Sequence, residues 1–258
     1  MRIGRKFPSF IKKPLSQVYM RKYVEKLKSQ DKRYVRVKIK GIWYDLDLWT
    51  YVGLTFYNLK SYEPKTVNIL KKFVKEDMIA VDVGASFGIL SFIMSKLVGN
   101  EGKVYCFEPS FYMFVRLKNG IKLNRFTNII PEKLALSDMY KTETLVTKKF
   151  GQIGDDTKNT ETEKVTFIPL DEYWSEIPYI DFIKIDTDGY EPEVIRGAEN
   201  CLEKSHPMMI IEFRKETVNE LIDLLSPTYN FYSEDLKIYS TKKLIEKTQK
   251  GTINVVVM

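Results

Sequence analysis

The feature that most constrains this chain is an apolar strand, a glycine turn and an apolar helix, followed by a second strand that ends in a carboxylate. The first strand covers residues 78–83, the turn contains Gly84 and Gly88, and the helix covers residues 89–98. Glu108 closes the second strand, 24 residues after Gly84. This order is typical of an open α/β sheet that binds an adenosine-containing cofactor at the carboxyl ends of its strands.

The residues of the turn have separate predicted tasks. Gly84 allows the chain to turn sharply, and Gly88 removes a side chain where the helix must approach a ligand. Glu108 stands where two ribose hydroxyls would need an acceptor. The predicted cofactor-binding residues of this region are Asp82, Gly84, Ala85, Ser86, Gly88, Glu108 and Pro109.

Three cofactor classes compete for such a turn. A dinucleotide site requires a G-x-G-x-x-G spacing, but Ser86 stands at the middle glycine. A P-loop requires a Gly-Lys-Ser/Thr ending, which is missing here. S-adenosylmethionine has no phosphate, and Asp82 suits its ammonium group but would repel a pyrophosphate. The sequence therefore predicts S-adenosylmethionine, with a ligand-free βαβ turn as the alternative.

The positive charge is confined to one end of the chain. The net charge is +7, yet residues 1–40 carry 14 Lys/Arg against only Glu25 and Asp31. Residues 15–28 have the spacing of a helix with a basic face. This helix either docks on the domain or lies on anionic lipid, so peripheral membrane contact through residues 1–30 is one expectation.

Cysteine use and hydropathy indicate a cytoplasmic protein. Cys106 and Cys201 fall within apolar segments, which favours buried thiols over a disulfide or a metal pair. No run approaches the roughly 18 apolar residues of a membrane span. The basic N-terminus lacks the apolar segment of a secretory signal. We expect a cytoplasmic location, peripheral at the inner membrane surface if residues 1–30 bind lipid.

Two domains are predicted, a basic arm with a helix and a β-hairpin over residues 1–60 and a cofactor-binding domain over residues 61–258. The hairpin covers residues 34–49 around Lys40-Gly41. The second domain is predicted as a mainly parallel sheet with an antiparallel edge. Its further helices are predicted over residues 66–74, 111–124, 192–202 and 217–225. Its further extended segments are predicted over residues 129–136, 142–148, 164–168, 180–185, 208–213, 231–239 and 252–258, with a polar loop over 151–163.

Taken together, several motifs resemble those of the FkbM-type S-adenosylmethionine-dependent methyltransferases, a branch of the class I methyltransferase fold. The matching stretches are Tyr62-Glu63-Pro64, 81–88, 107–109, Ala135-Leu-Ser-Asp138, Leu170-Asp171, 181–191, Gly197-Ala198 and Ile211-Glu212. The resemblance implies a Rossmann-like fold with a seven-stranded sheet. It also implies methyl transfer, usually to a hydroxyl oxygen of a sugar or natural product. Ser86 and Asp188 stand where the family commonly has Asn and Glu: Ser86 keeps a polar group in the turn, and Asp188 keeps the charge on a side chain that is one methylene shorter.

Acidic residues at two strand ends are the predicted catalytic groups. A hydroxyl is a poor nucleophile, so a general base or a metal would assist its methylation. Asp186 is the first candidate, Asp188 and Glu191 are candidate bases or metal ligands, and Glu212 is a further candidate base. A tight Asp-Gly turn explains Asp188 equally, and the dipole of the following helix explains Glu191. These carboxylates could hold Mg²⁺, although the pattern does not require a metal.

Four further residues complete the predicted cofactor site. Ser137 and Asp138 follow the third strand, where class I enzymes contact adenine, although an ordinary turn explains them too. Glu63 either closes over the methyl donor or only begins a helix. Asp186 is also assigned to the methionine end of the cofactor.

The predicted function is therefore methyl transfer from S-adenosylmethionine to a hydroxyl oxygen of a sugar, glycan or small natural product, with S-adenosylhomocysteine as the product. A lipid-linked glycan is one such acceptor. Two alternatives stay open, an RNA methyltransferase that uses the basic arm and a non-catalytic nucleoside-binding protein. A nucleic-acid partner is disfavoured because the rest of the chain is acidic. The sequence defines neither the acceptor nor the oligomeric state.

Overall fold

A computed structural model describes residues 22, 24–27, 29–146, 162–174, 176 and 178–258 of the protein. The chain separates into two compact units, residues 1–62 with 146–162 and residues 63–145 with 163–258. Most of the predicted basic helix over residues 15–28 lies outside the described residues. The same is true of nearly all of the polar loop predicted over residues 151–163.

The first unit is built around a β-hairpin. Strands β1 (Tyr34–Ile39) and β2 (Ile42–Asp47) pair antiparallel, which confirms the predicted hairpin. Lys40 and Gly41 both have positive φ, 50° and 85°, as a two-residue hairpin turn of type I′ requires. Helix α1 (Tyr51–Leu59) follows and was not predicted. One buried cluster of this unit consists of Val24, Leu27, Leu48 and Leu54.

A seven-stranded, mainly parallel sheet forms the centre of the second unit, as predicted. Its strands are β3 (Ile79–Val83), β4 (Lys103–Phe107), β5 (Ile129–Glu132), β9 (Phe182–Ile185), β10 (Met208–Phe213), β11 (Phe231–Ser233) and β12 (Ile253–Val257). They lie in the order β11-β12-β10-β9-β3-β4-β5. The helices are α2 (Pro64–Phe73), α3 (Ile89–Val98), α4 (Phe111–Asn124), α5 (Leu170–Tyr173), α6 (Glu191–Arg196), α7 (Glu199–Ser205), α8 (Val218–Leu225) and α9 (Thr241–Thr248). None of the helices in the described part of the chain is long and apolar enough to cross a membrane.

The antiparallel edge is present, with a connection that was not predicted. Strand β12 pairs antiparallel with β10 on one side and with β11 on the other. The segment predicted as one strand over residues 231–239 forms only β11 and then turns back, so that Ile238 bridges Tyr232. Helix α9 follows, capped by the Ser240 hydroxyl, and it was missed because half of its residues are charged and few are apolar.

The extended segment predicted over residues 129–136 is divided between two sheets. Strand β5 pairs with β4 as far as Glu132, opposite the last residue of β4, Phe107. Beyond that residue the described structure shows no further pairing of this segment with the main sheet. Strand β6 (Ala135–Leu136) instead joins β8 (Thr162–Ile168) and β7 (Lys141–Val146) in a three-stranded sheet of order β6-β8-β7.

The helix predicted over residues 192–202 is broken into α6 and α7. At Gly197 a Cβ atom would lie 1.9 Å from the Ser137 carbonyl oxygen, so the chain packs there without a side chain. Helix α7 has its own cap, because the Asp171 carboxylate accepts hydrogen bonds from the backbone N–H groups of Asn200 and Cys201 at 2.8 and 2.9 Å. The glycine at the break therefore allows the backbone after β6 to pack directly against the end of α6.

Packing around Phe92 explains why residue 88 is glycine. The predicted reason was close approach of the helix to a ligand. A Cβ atom at Gly88 would lie 2.5 Å from Leu117 and 2.6 Å from the Phe92 ring, and a Cβ at Gly120 would lie 2.4 Å from the same ring. The space that was expected to admit a ligand is thus occupied by the core between α3 and α4. Gly88 also has φ of 77°, which disfavours a side chain.

We predict that Gly88→Ala destabilises the protein far more than Gly251→Ala. Both positions have positive φ, but the space around Gly251 is open to 4 Å. Gly251→Ala therefore adds backbone strain of about 1 kcal/mol, whereas Gly88→Ala adds overpacking and should cost about 2–4 kcal/mol. Urea denaturation of both variants measures the difference. Equal midpoints would contradict the prediction, because they would show that the side chains around Phe92 rearrange without loss of stability.

Candidate active site

The register of the central sheet brings four predicted site residues together at the carboxyl ends of four neighbouring strands. The paired residues near the carboxyl ends of neighbouring strands are Val83 with Phe107, Val83 with Ile185, and Ile185 with Ile211. The residues that follow them form what we call the strand-end row: Gly84, Glu108, Asp186 and Glu212. Since parallel strands in register expose their carboxyl ends together, these residues lie at the crevice where open α/β sheets bind ligands.

The turn after β3 is held against both neighbouring strands. The backbone N–H groups of Gly84 and Ala85 donate to the Phe107 carbonyl oxygen at 2.9 and 3.1 Å. A Cβ atom at Gly84 would lie 1.9 Å from the Asp186 carbonyl oxygen, and its φ is 80°. Glycine at this position therefore lets the turn approach the end of β9.

Glu108 ties this turn to the start of α4. Its Oε2 accepts a hydrogen bond from the backbone N–H of Ser86 in the turn after β3 at 2.8 Å, and its Oε1 accepts one from the backbone N–H of Ser110 at 2.9 Å. The residue is only 6% exposed, and burial raises its pKa to about 7 against the two N–H donors, which favour the ionised form. Each oxygen still has acceptor capacity for a hydroxyl donor.

Asp82 and Asp186 share a buried cation, the ammonium group of Lys184. Lys184 Nζ lies 3.3 Å from Asp186 Oδ2 and 3.7 Å from Asp82 Oδ1. The Ser91 hydroxyl donates to Asp82 Oδ2 at 2.5 Å. Burial raises the pKa of the Asp82 carboxyl, while Lys184 and Ser91 act in the opposite direction. Asp82 Oδ1 is buried and accepts no hydrogen bond from the described residues.

The loop after β9 is organised by Glu191. Its Oε1 accepts three hydrogen bonds, from the Thr187 backbone N–H and hydroxyl, both at 2.9 Å, and from the Gly189 N–H at 3.1 Å. Glu191 is fully buried, and its Oε2 has no hydrogen-bond partner in the described structure. This carboxylate shapes the loop that follows Asp186, as well as standing in the first turn of α6.

Arg214 joins Glu212 to Asp188. Its Nε donates to Glu212 Oε2 at 2.7 Å, and its Nη2 contacts the same oxygen at 2.5 Å and also the Asp188 carboxylate. Asp188 is exposed and has φ of 60° in the turn before Gly189. Burial raises the pKa of Glu212 to about 7; Asp186 acts in the same direction, and Arg214 opposes both.

Ser137 and Asp138 follow β6, a strand of the three-stranded sheet, and have other partners. The Ser137 N–H donates to the Ile168 carbonyl oxygen at 3.0 Å, and its hydroxyl donates to Asp138 Oδ1 at 3.2 Å. Arg196 Nε donates to Asp138 Oδ2 at 3.2 Å. Burial opposes ionisation of Asp138, but the bonds from Arg196 and Ser137 outweigh it and hold the pKa of this carboxyl below its usual value. Both residues are linked to the row through α6 rather than directly.

Glu63 contacts the antiparallel edge of the sheet. Its Oε2 accepts a hydrogen bond from Asn254 Nδ2 at 3.3 Å, and Asn254 pairs with Glu212 in the register of β10 and β12. Glu63 itself has φ of 37° and directly precedes Pro64, the first residue of α2. The structure thus places Glu63 one strand away from Glu212.

Sequence reasoning missed the cations that organise these carboxylates. Lys184 lies within the 181–191 motif, but the motif assigns it no role, and no motif includes Arg214 or Arg196. A lysine inside an otherwise apolar strand is a usable signal, because a buried charge requires a partner. Arg214 offers a weaker one, since it stands two residues after Glu212 and so on the same side of an extended chain. No group of three or more His, Cys, Asp or Glu residues in the described ranges is arranged to hold a metal ion.

We predict that Lys184→Met costs about 3–5 kcal/mol of unfolding free energy, because Asp82 is left as a buried charge without its cation. The double variant Asp82→Asn, Lys184→Met should recover much of that loss, as measured by urea denaturation. Lys65→Met removes an exposed ion pair to Asp235 and serves as the control with no measurable change. Additive effects of the two buried substitutions would contradict the pairing.

Solved structures of several methyltransferases are similar to this chain. A crystal structure of Methyltransferase FkbM from Methylobacillus flagellatus KT is 17% identical, with a TM-score of 0.49 over 71% of this chain. The chain spans only 44% of the length of that protein. Fibrillarin from Aeropyrum pernix, with natively bound S-adenosyl-L-methionine, is 16% identical with a TM-score of 0.45, covering 75% of this chain and 73% of its own. TYW2 from P. horikoshii, in complex with MeSAdo, is 17% identical with a TM-score of 0.48, covering 87% and 70%.

Sequence comparison assigns the family. No curated protein matches the chain. The family model described as the Methyltransferase FkbM domain matches residues 82–233, which is more than half of the chain and contains the whole strand-end row. The chain therefore belongs to the FkbM methyltransferase family.

Proposed function

We propose that this protein transfers a methyl group from S-adenosylmethionine to a hydroxyl oxygen of a sugar, glycan or small natural product. The observation that carries the proposal is the strand-end row. It combines a hydroxyl acceptor at Glu108, a glycine turn at Gly84 and two carboxylates, Asp186 and Glu212, along one sheet edge. Membership of a methyltransferase family supports the reaction class.

The charges of the site suit this cofactor. Carboxylates outnumber cations around the row, with Lys184 and Arg214 set among Asp82, Glu108, Asp186, Asp188, Glu191 and Glu212. S-adenosylmethionine is positively charged overall, because its sulfonium adds to a zwitterionic amino acid head. We assign the ribose hydroxyls to Glu108. The ammonium is assigned to Asp82, whose Oδ1 is an acceptor without a hydrogen bond from the described residues. Asp82 is 1% exposed, so water would carry this contact.

A cofactor held there would supply an activated methyl group, so the remaining task of the protein is to orient the acceptor and remove its proton. Glu212 is our choice as general base. Its pKa of about 7 allows it to hold or release a proton near neutral pH. Asp186, beside Lys184, is assigned to the methionine end of the cofactor and to orientation of the acceptor hydroxyl.

The other predicted residues take supporting roles in this proposal. Glu191 shapes the loop over residues 186–190, and Asp188 is bound to Arg214. Ser137 and Asp138 are assigned to the adenine side and Glu63 to closure near Glu212. The carboxylates of the row offer the oxygen ligands that Mg²⁺ prefers, but no arrangement of them in the described structure selects a metal.

Binding of S-adenosylmethionine should strengthen with pH because ionised Glu108 is the better acceptor. With a pKa of about 7, most Glu108 is protonated at pH 5.5 and half is ionised at pH 7. Affinity should therefore rise about tenfold over this range. Calorimetric titration of wild type and Glu108→Gln tests this, since the variant should bind more weakly and lose the rise. Glu212→Gln, which leaves Glu108 intact, should retain most of it.

No binding to the wild type at any pH would contradict the proposed cofactor. A rise that persists unchanged in Glu108→Gln would assign the pH dependence to another group.

The acceptor class is tested by following labelled methyl from S-adenosylmethionine into panels of glycans, lipid-linked sugars, natural products and RNA. We expect an alkali-stable ether on a sugar or natural product. Glu212→Gln should lower kcat about 10²–10⁴-fold, the usual contribution of a general base, with cofactor affinity changed little. Transfer to RNA alone, or to a nitrogen atom, would contradict the proposed acceptor.

A further inference from the structure

The hydrogen bonds of Arg214 leave the two oxygens of Glu212 unequal. Both nitrogen contacts from Arg214 fall on Oε2, at 2.7 Å from Nε and 2.5 Å from Nη2. Oε1 accepts no hydrogen bond from the residues that the structure describes. The Glu212 side chain is 16% exposed, so it is largely shielded from water that could replace Arg214. One oxygen is thus fixed and the other is left to accept a proton.

The surroundings of Glu212 show how much depends on this one cation. Asp186, next in the strand-end row, and Glu191, at the start of α6, both oppose ionisation of Glu212. Asn254 faces Glu212 from β12 and is neutral. Arg214 is the group that lowers the pKa of Glu212.

The second contact of Arg214 reaches the loop that follows β9. Nη2 binds Asp188 Oδ1, and Asp188 occupies the left-handed region with φ of 60°. A non-glycine residue held at such φ is strained and persists only where its surroundings fix it. Arg214 therefore connects the end of β10 to the loop that carries Asp186.

We propose that Arg214 is a positioning residue of the methyl-transfer site. It fixes Glu212 Oε2 and leaves Oε1 free to accept a proton, and it couples that arrangement to the 186–190 loop through Asp188. The acceptor hydroxyl then gives its proton to Glu212 Oε1, while its oxygen keeps the electron pair of the O–H bond. This role rests on the proposed function.

The planar guanidinium suits the task better than an ammonium group would. Arginine can present two nitrogens to one carboxylate and still reach a second carboxylate in a fixed geometry. Lysine at the same position would keep the charge near Glu212 but would not hold both partners in the same geometry. Arg214→Lys should consequently restore the ionisation of Glu212 without restoring the link to Asp188.

Carboxyl ¹³C NMR of glutamate-labelled protein measures the titration of Glu212, whose signal is assigned by its loss in Glu212→Gln. We expect wild-type Glu212 to titrate near pH 7. Arg214→Gln should raise that midpoint by about 1 unit or more, and Arg214→Lys should return it close to the wild-type value. Arg196→Gln is the matched control, because Arg196 is ion-paired with three carboxylates, those of Asp138, Glu193 and Glu220, and none of them belongs to the row. It should leave the Glu212 midpoint unchanged.

Asp188→Asn tests the coupling. This variant removes the charge of Asp188, so that Arg214 is ion-paired with Glu212 alone. The titration midpoint of Glu212 should then fall. An unchanged midpoint would overturn the coupling to the loop.

An unchanged Glu212 midpoint in Arg214→Gln, with the circular dichroism spectrum intact, would overturn the role of Arg214. If Arg214→Gln fails to fold, Arg214→Lys decides, since a midpoint raised despite the retained charge also contradicts the proposal. Calorimetry with S-adenosylmethionine separates the two levels of inference. Absence of binding to the wild type would defeat the proposed function, whereas normal binding with an unresponsive Glu212 would defeat only the role of Arg214.

Discussion

The parallel register between β3 and its neighbours β4 and β9 is the constraint on which the site depends. It places Asp82 beside Lys184 within the sheet and, two residues later, Gly84 beside Asp186 at its edge. A slip of one residue would move every side chain of a strand to the opposite face. The buried ion pairs, the glycine turn and the strand-end row would then be lost together. Register, more than any single contact, makes these residues a site.

Two cations allow the acidic groups of the site to lie close together, because each of them is paired with two carboxylates. Lys184 serves Asp82 and Asp186, and Arg214 serves Glu212 and Asp188. Among the described residues, no cation is in hydrogen-bond contact with Glu108, which accepts from two backbone N–H donors instead. The different partners leave the carboxylates with different protonation properties, which is how one acidic edge can bind a cationic cofactor and also hold a base.

Residues 78–108 were predictable because the apolar strands, the glycine turn and Glu108 all follow local rules. The bounds of α3, α4 and β10 agree with those expected from periodicity. Helix α9 was missed because its segment is only weakly apolar. The break at Gly197 was missed because it depends on a contact with Ser137, which is distant in sequence. The same limit applies to Arg214: its position after β10 is visible in the sequence, whereas its reach to Asp188 depends on how β10 lies beside β9.

The central claim is that the strand-end row holds the cofactor. A crystal structure of the protein with S-adenosylhomocysteine tests it most directly. Our account predicts the ribose hydroxyls within hydrogen-bond distance of Glu108 and the homocysteine end at the Gly84–Asp186 side of the row. Density for the ligand at another surface, with Glu108 bonded only to Ser86 and Ser110, would contradict it.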